Sequence, residues 1–166
     1  MEVKKVYHTI KPVFNSESKV LILGTIPSPK SREAMFYYSH PQNKFWKVMA
    51  NILKDKVPEN NEEKRDLMLK NKIALWDVLA SCKIKGAADE SIEEPVPNDI
   101  NLILKGADIK AVFTTGTKAF SLYKKHCLKD TGVEAIKLPS TSPANCRFYN
   151  LEKLIEAYRM ILEYIR

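Results

Sequence analysis

Four short apolar runs punctuate the chain. Val20-Leu21-Ile22-Leu23 stops at Gly24, Ala111-Val112-Phe113-Thr114-Thr115 stops at Gly116, and Glu134 to Leu138 stops at Pro139. Ile73-Ala74-Leu75-Trp76-Asp77-Val78-Leu79 forms the remaining one. Near-continuous apolar segments of this length read as strands buried on both faces. Helical spacing fills the intervals. Phe45, Val48, Met49, Ile52 and Leu53 recur on one face of a helix over 44–53. Asn60-Asn61-Glu62-Glu63 reads as the acidic start of a helix to about Lys70. Asp99 is expected to cap a short helix through Lys105, a helix over 117–127 follows Gly116, and Asn150 caps a last one bearing Leu151, Leu154, Ile155, Tyr158, Leu162 and Ile165. Gly24 to Pro29 reads as a loop, and Pro95 to Asn98 as a break in the chain. Strands alternating with helices predict an α/β fold: three α/β/α layers around a central, mostly parallel four-stranded sheet, in one domain over 1–166.

Parallel strands end on one edge, so the loops 24–46, 77–86 and 139–148 are expected to converge there, where open α/β sheets bind ligands. Their composition is unusual. Tyr37-Tyr38-Ser39-His40-Pro41-Gln42-Asn43-Lys44-Phe45-Trp46 packs aromatic rings, an imidazole and a carboxamide into ten residues. Stacking faces beside amides can hold a single nucleobase. The same residues also have plainer readings: Tyr37, Phe45 and Trp46 as core, Asn43 as a helix cap, His40 as a turn residue. Asp77 sets a carboxylate at a strand end, as a ligand for a base N–H or as an N-cap. Ser140 to Phe148 is small and polar and contains Arg147, which suits a phosphate backbone or an ordinary turn.

The chain has 166 residues, and 45% of them are hydrophobic, enough for a globular core. No run approaches the ~20 apolar residues that span a bilayer, and the start of the chain leads into no secretory apolar region, so a cytoplasmic protein is expected. A net charge of +7 points to an anionic partner, nucleic acid above all. The charge is uneven, with acids gathered over 89–99 and lysines over 105–129. Cys82, Cys127 and Cys146 lie far apart without a C-x-x-C pair, which argues against zinc, an iron–sulfur cluster or a disulfide framework. No G-x-G-x-x-G or P-loop spacing occurs, so dinucleotide or ATP binding has no support.

Taken in order, these loops resemble the motifs of the uracil-DNA glycosylase superfamily over roughly residues 18–165. Gly24-Thr25-Ile26-Pro27-Ser28 looks like the first motif of its mismatch-specific branch. Tyr38 and His40-Pro41-Gln42-Asn43-Lys44-Phe45-Trp46 look like the aromatic and the His-Pro-x-Asn-x-Phe-Trp segment that follow. Ser140-Thr141-Ser142-Pro143-Ala144-Asn145 looks like the second motif. With Leu75 to Cys82 and Pro95 to Asp99, the likeness leans toward the hypoxanthine-DNA glycosylase branch. Two positions depart from the wider pattern. Ile26 stands where relatives carry the Asp or Asn that positions water, and Ser140 where they carry a His or Asn for the leaving group. The hypoxanthine branch also lacks the first of these.

The resemblance implies a monofunctional DNA glycosylase that flips a deaminated base, hypoxanthine first, out of damaged double- or single-stranded DNA. It implies Asn43 and Ser140 as catalytic residues. Gly24, Thr25, Ile26, Pro27, Tyr38, Phe45 and Asp77 are then the base pocket. His40, Thr141, Ser142, Pro143, Ala144, Asn145 and Arg147 are the DNA surface. It implies no cofactor or metal, a monomer and no membrane. The alternatives are a mismatch-specific uracil/thymine glycosylase, a binding module of the same fold without turnover, and a hydrolase of free deoxyinosine.

Overall fold

The structure is a computed structural model that describes residues 2–166. In chain order its strands are β1 (Val3–Tyr7), β2 (Val20–Gly24), β3 (Ile73–Asp77), β4 (Leu79–Lys85), β5 (Glu93–Pro97), β6 (Ala111–Thr115) and β7 (Ala135–Leu138). Its α-helices are α1 (Pro29–Ala34), α2 (Phe45–Ile52), α3 (Asn61–Lys70), α4 (Asn101–Gly106), α5 (Thr117–His126), α6 (Leu128–Thr131) and α7 (Leu151–Tyr158).

Four strands form the expected sheet, in the order β3-β2-β6-β7, and every pairing in it is parallel. All five residues of β2, of β3 and of β6 are buried, as unbroken apolar strands require. Helices flank the sheet: α3 packs on β3, α5 on β6 and β7, and α2 against α7. Asn60 and Asn150 cap their helices as expected, each side chain accepting from a backbone N–H three residues on. Asp99 does not. The residue before α4 is Ile100, and no side chain caps that helix.

A second sheet, antiparallel with the order β1-β4-β5, corrects the expectation of parallel pairing along the whole chain. The apolar run expected over 73–79 is two strands: β3 ends at Asp77, and Leu79 opens β4 in the other sheet. The expected break at Pro95 to Asn98 is largely strand. Pro95 and Pro97 lie in β5, at the edge of that sheet, where a missing N–H costs no ladder bond. Its pairing with β4 shifts register twice. The loop expected from Gly24 to Pro29 ends early, because Pro29 opens α1 behind a Ser28 cap whose Oγ accepts from the Ser31 N–H.

Candidate active site

The register of the parallel sheet sets out the site's floor. Gly24 lies beside Asp77, and Leu23 beside Thr114, so Thr115 stands level with Gly24 on its other side. Ser140 follows two residues after the end of β7, the next strand. Asp77, Gly24, Thr115 and Ser140 therefore stand in a row along the C-terminal edge. They line one cleft with Asn43, Tyr38, Thr25, Ile26 and Pro27. Its volume is about 130 Å³, close to the ~150 Å³ of a cavity that holds one benzene ring.

Gly24 is required by its neighbours. A Cβ there would lie 2.5 Å from Asp77 Oδ1 and 3.3 Å from the Tyr38 hydroxyl. The missing side chain is what lets the carboxylate lie over the strand end. The neighbouring backbone is fixed by Val78 N–H donating to Gly24 O at 2.8 Å and Leu79 N–H to Thr25 O at 3.0 Å. Asn98 clamps the turn from behind, donating to the carbonyls of Asp77 and Leu79.

Asp77 is buried, and its Oδ2 lies 2.8 Å from His8 Nε2. Those two side chains are 5% and 3% exposed. Oδ1 has no protein donor among the described residues and lies on the cleft side, over Gly24. It is the free acceptor of the site.

Tyr38 closes the aromatic wall. Its ring stacks on Phe45, with centroids 3.9 Å apart and planes 15° apart. Its hydroxyl is 3.3 Å from Thr115 Oγ1. Its φ of 53° is left-handed, an uncommon conformation for an aromatic residue. Burial and then the Asp77 charge hold the phenol well above its ordinary range, so it remains a neutral hydroxyl. Phe45 itself is wholly buried and has no face in the cleft. Its ring backs Tyr38. Trp46 and Tyr37 are core residues, the Trp46 indole N–H donating to Tyr37 O.

Asn43 sits where two loops meet. Lys44 N–H donates to Thr141 O at 3.1 Å, which ties the aromatic loop to the loop after β7. Asn43 Oδ1 accepts from Phe45 N–H at 2.9 Å. The side-chain oxygen is thus committed to the turn before α2, and the amide NH₂ is the part left for a ligand. His40 serves the same turn: its Nδ1 accepts from Gln42 N–H, and it does not line the cleft.

The loop after β7 is held by its own side chains. Ser140 Oγ donates to Ser142 Oγ and accepts from Ser142 N–H, and Asn145 donates to Ser140 O. Thr141 is buried. Gly116, at φ 94°, admits this loop, since a Cβ there would come within 3.2 Å of Ser140 Cβ. Pro143 and Arg147 do not reach the cleft. They border an adjoining groove with Asn43, Lys44 and Lys47. Arg147 lies over the exposed Phe148 ring, and Ala144 is exposed.

Sequence reasoning missed His8, Thr115 and Asp89. Asp89 lines the cleft from the turn between β4 and β5. Burial, then the neighbouring Glu90, pushes its carboxyl upward. Nothing in the local pattern sets His8 apart, because the strand before it is mostly exposed. Its partner is 69 residues away.

Comparison with known proteins gives a consistent result. The family model described as the uracil DNA glycosylase superfamily matches residues 11–165. A hypoxanthine DNA glycosylase of Methanosarcina barkeri is 32% identical over 138 residues, which is 82% of this chain and 86% of that protein. A second of the same description, from Methanosarcina acetivorans, is 31% identical over the same shares. A solution NMR structure of a candidate uracil DNA glycosylase from Methanosarcina acetivorans superposes with a TM-score of 0.79 at 30% identity, covering 95% of this chain and 98% of that one. The chain belongs to the uracil DNA glycosylase superfamily, and it is a DNA glycosylase, a hydrolase of N-glycosidic bonds.

Proposed function

We propose that this glycosylase excises hypoxanthine from deoxyinosine in DNA. The observation that carries the reading is the free Oδ1 of Asp77, which faces the cleft over Gly24. A carboxylate only accepts, so it takes a base that presents a ring N–H. Hypoxanthine does so at N1, whereas adenine presents a lone pair there. The relatives described as hypoxanthine DNA glycosylases support the same substrate.

The target nucleotide leaves the stack at a cost of a few kcal/mol, less when inosine is mispaired. Its base lies against Tyr38, with Asp77 on its edge. The C1′–N bond breaks and its electron pair passes to the base. The Asn43 NH₂ and the Tyr38 hydroxyl donate toward the charge that gathers there. Water then adds its oxygen to C1′ and releases a proton. Ile26 lines the cleft and offers that water no hydrogen bond, so the sugar cation must be well formed before attack. DNA phosphates stabilise it from the groove bordered by Lys44, Lys47 and Arg147. No lysine lines the cleft among the described residues, which supports hydrolysis over a Schiff-base lyase step.

The test is a set of duplex and single-stranded oligonucleotides carrying inosine, uracil, xanthine or a thymine mismatch, treated with enzyme in single turnover and then with alkali. Inosine strands are expected to break fastest. Faster scission at uracil moves the substrate to the mismatch-specific branch. Tight binding without scission of any strand overturns the reading in favour of a binding module.

A further inference from the structure

The most specific polar contact in the molecule that the chemistry above does not use is the one between His8 and Asp77. It joins the two sheets. His8 follows directly on β1 of the antiparallel sheet, and Asp77 is the last residue of β3 in the parallel sheet. The imidazole is fixed on several sides. Its backbone N–H donates to Ala80 O at 2.8 Å, and its ring sits 6.0 Å from that of Tyr37 and edge-on to Trp76 at 6.3 Å. The ring therefore has one orientation, with Nε2 on Asp77 Oδ2.

We infer that His8 is a specificity-determining positioning residue, which donates from Nε2 to hold Asp77 as an anion and so restricts the cleft to bases with a lactam N–H. The inference rests on the proposed role of Asp77 in reading the base. An ionised Asp77 shows the base an acceptor alone. A protonated one would show an O–H donor beside a carbonyl acceptor. That pair is the complement of adenine, with its N1 lone pair and N6 amino group, and of cytosine in the same way. The His8 ring fixes Oδ2 of the Asp77 carboxylate at 2.8 Å and leaves Oδ1 turned to the cleft over Gly24. Its bond separates hypoxanthine from adenine and uracil from cytosine, and it makes no distinction among lactams. A site whose buried acceptor would face another lone pair rejects that ligand strongly.

The titratable and charged groups around the pair are Tyr37 and Tyr38 from the aromatic loop, Arg65 of α3 beyond Tyr37, and Asp89 across the cleft. Both phenols are held in the neutral form, by burial first and then by the Asp77 charge. They contribute no titration in the working range. Asp89 does titrate, but it is present in every variant below and cancels between them.

The experiment compares the wild type with His8→Leu, which removes the donor, and His8→Gln, whose amide restores one. Excision of hypoxanthine and of adenine from matched single strands is followed in single turnover from pH 5 to 8.5. In His8→Leu the hypoxanthine-to-adenine preference near pH 6 is expected to fall by roughly tenfold or more. His8→Gln should recover much of it. Superimposable pH profiles and preferences in all three proteins overturn the inference while leaving hypoxanthine excision intact. A wild type that leaves inosine strands whole overturns the functional reading instead. Nitrogen-15 NMR of the wild-type ring decides the matter even where His8→Leu does not fold. A proton on Nε2 at neutral pH supports the inference, and a bare Nε2 with the proton on Nδ1 refutes it.

Discussion

The parallel and the antiparallel sheet meet at the cleft but are built on different terms. Strands β2, β3 and β6 are buried at every position, while β1 buries only Val6 and no residue of β5 is fully buried. The parallel sheet supplies the floor of the cleft through strand ends whose places are set by register. The outer strands of the antiparallel sheet contribute little core, yet from that side Asp89 lines the cleft and His8 meets its carboxylate. The difference teaches that apolar burial fixes where the cleft lies, and that its carboxylate is held in place by a side chain from the less buried layer.

The strongest test of this division separates chemistry from stability at one residue. Asn43→Ala is expected to slow single-turnover excision of hypoxanthine by a factor on the order of 100 or more, the usual loss for a donor aimed at developing charge. Its thermal stability should fall only by the one turn bond from Phe45 N–H, about 1 kcal/mol. Excision at the wild-type rate in a folded Asn43→Ala removes the amide from the mechanism. A collapse in stability instead makes Asn43 a structural part of the floor.

A matched pair of truncations then compares the sheets directly. Val112 in β6 is fully buried and Val96 in β5 is 47% exposed. Val112→Ala removes two methyl groups from a packed interior and should cost about 2 kcal/mol or somewhat more, counting the cavity. Val96→Ala should change stability by no more than about 0.5 kcal/mol. Urea denaturation followed by circular dichroism measures both. Equal losses would mean that the antiparallel sheet carries as much of the core as the parallel one, and the contrast between the layers fails.

The same contrast explains what could be read from the residues alone. Val20 to Leu23 and Ala111 to Thr115 announce buried strands because nothing polar interrupts them. The glycine after each is legible for the same reason, though only the structure shows what it makes room for: Asp77 at Gly24, Ser140 at Gly116. Asn43, Asp77 and Ser140 were drawn to one edge by topology, and they do line one cleft. The motif resemblance places Phe45 in the base pocket, whereas its helical spacing puts it in the core, and there it lies behind Tyr38. The antiparallel strands escaped notice because Val3-Lys4-Lys5-Val6-Tyr7 and Glu93-Glu94-Pro95-Val96-Pro97 carry charge and proline where a buried strand cannot. His8 escaped with them, since a contact across 69 residues leaves no local trace.

The smallest expected effect concerns a second histidine, whose surroundings invert those of His8. His126 ends α5, against the parallel sheet, and its buried Nε2 has no hydrogen-bond partner among the described residues. Burial, then the charges of Lys125 and Lys129, holds its pKa below the ordinary value of 6.5. Above about pH 6.5 the imidazole is neutral in folded and unfolded chains alike, and it costs nothing. As pH falls through that value, the unfolded chain takes up a proton that the folded chain resists. Stability therefore drops on acidification from pH 7 toward 5.5. The slope should be well under the limit of about 1.4 kcal/mol per pH unit for one proton, because the ring is only partly shielded from solvent. His126→Gln should flatten that part of the urea-midpoint profile, while His8→Gln, on the side of the cleft where the ring has a carboxylate, should leave it in place. If the slope persists in His126→Gln, the titration belongs to another group, and the parallel layer has no unpaired histidine to set against the paired one.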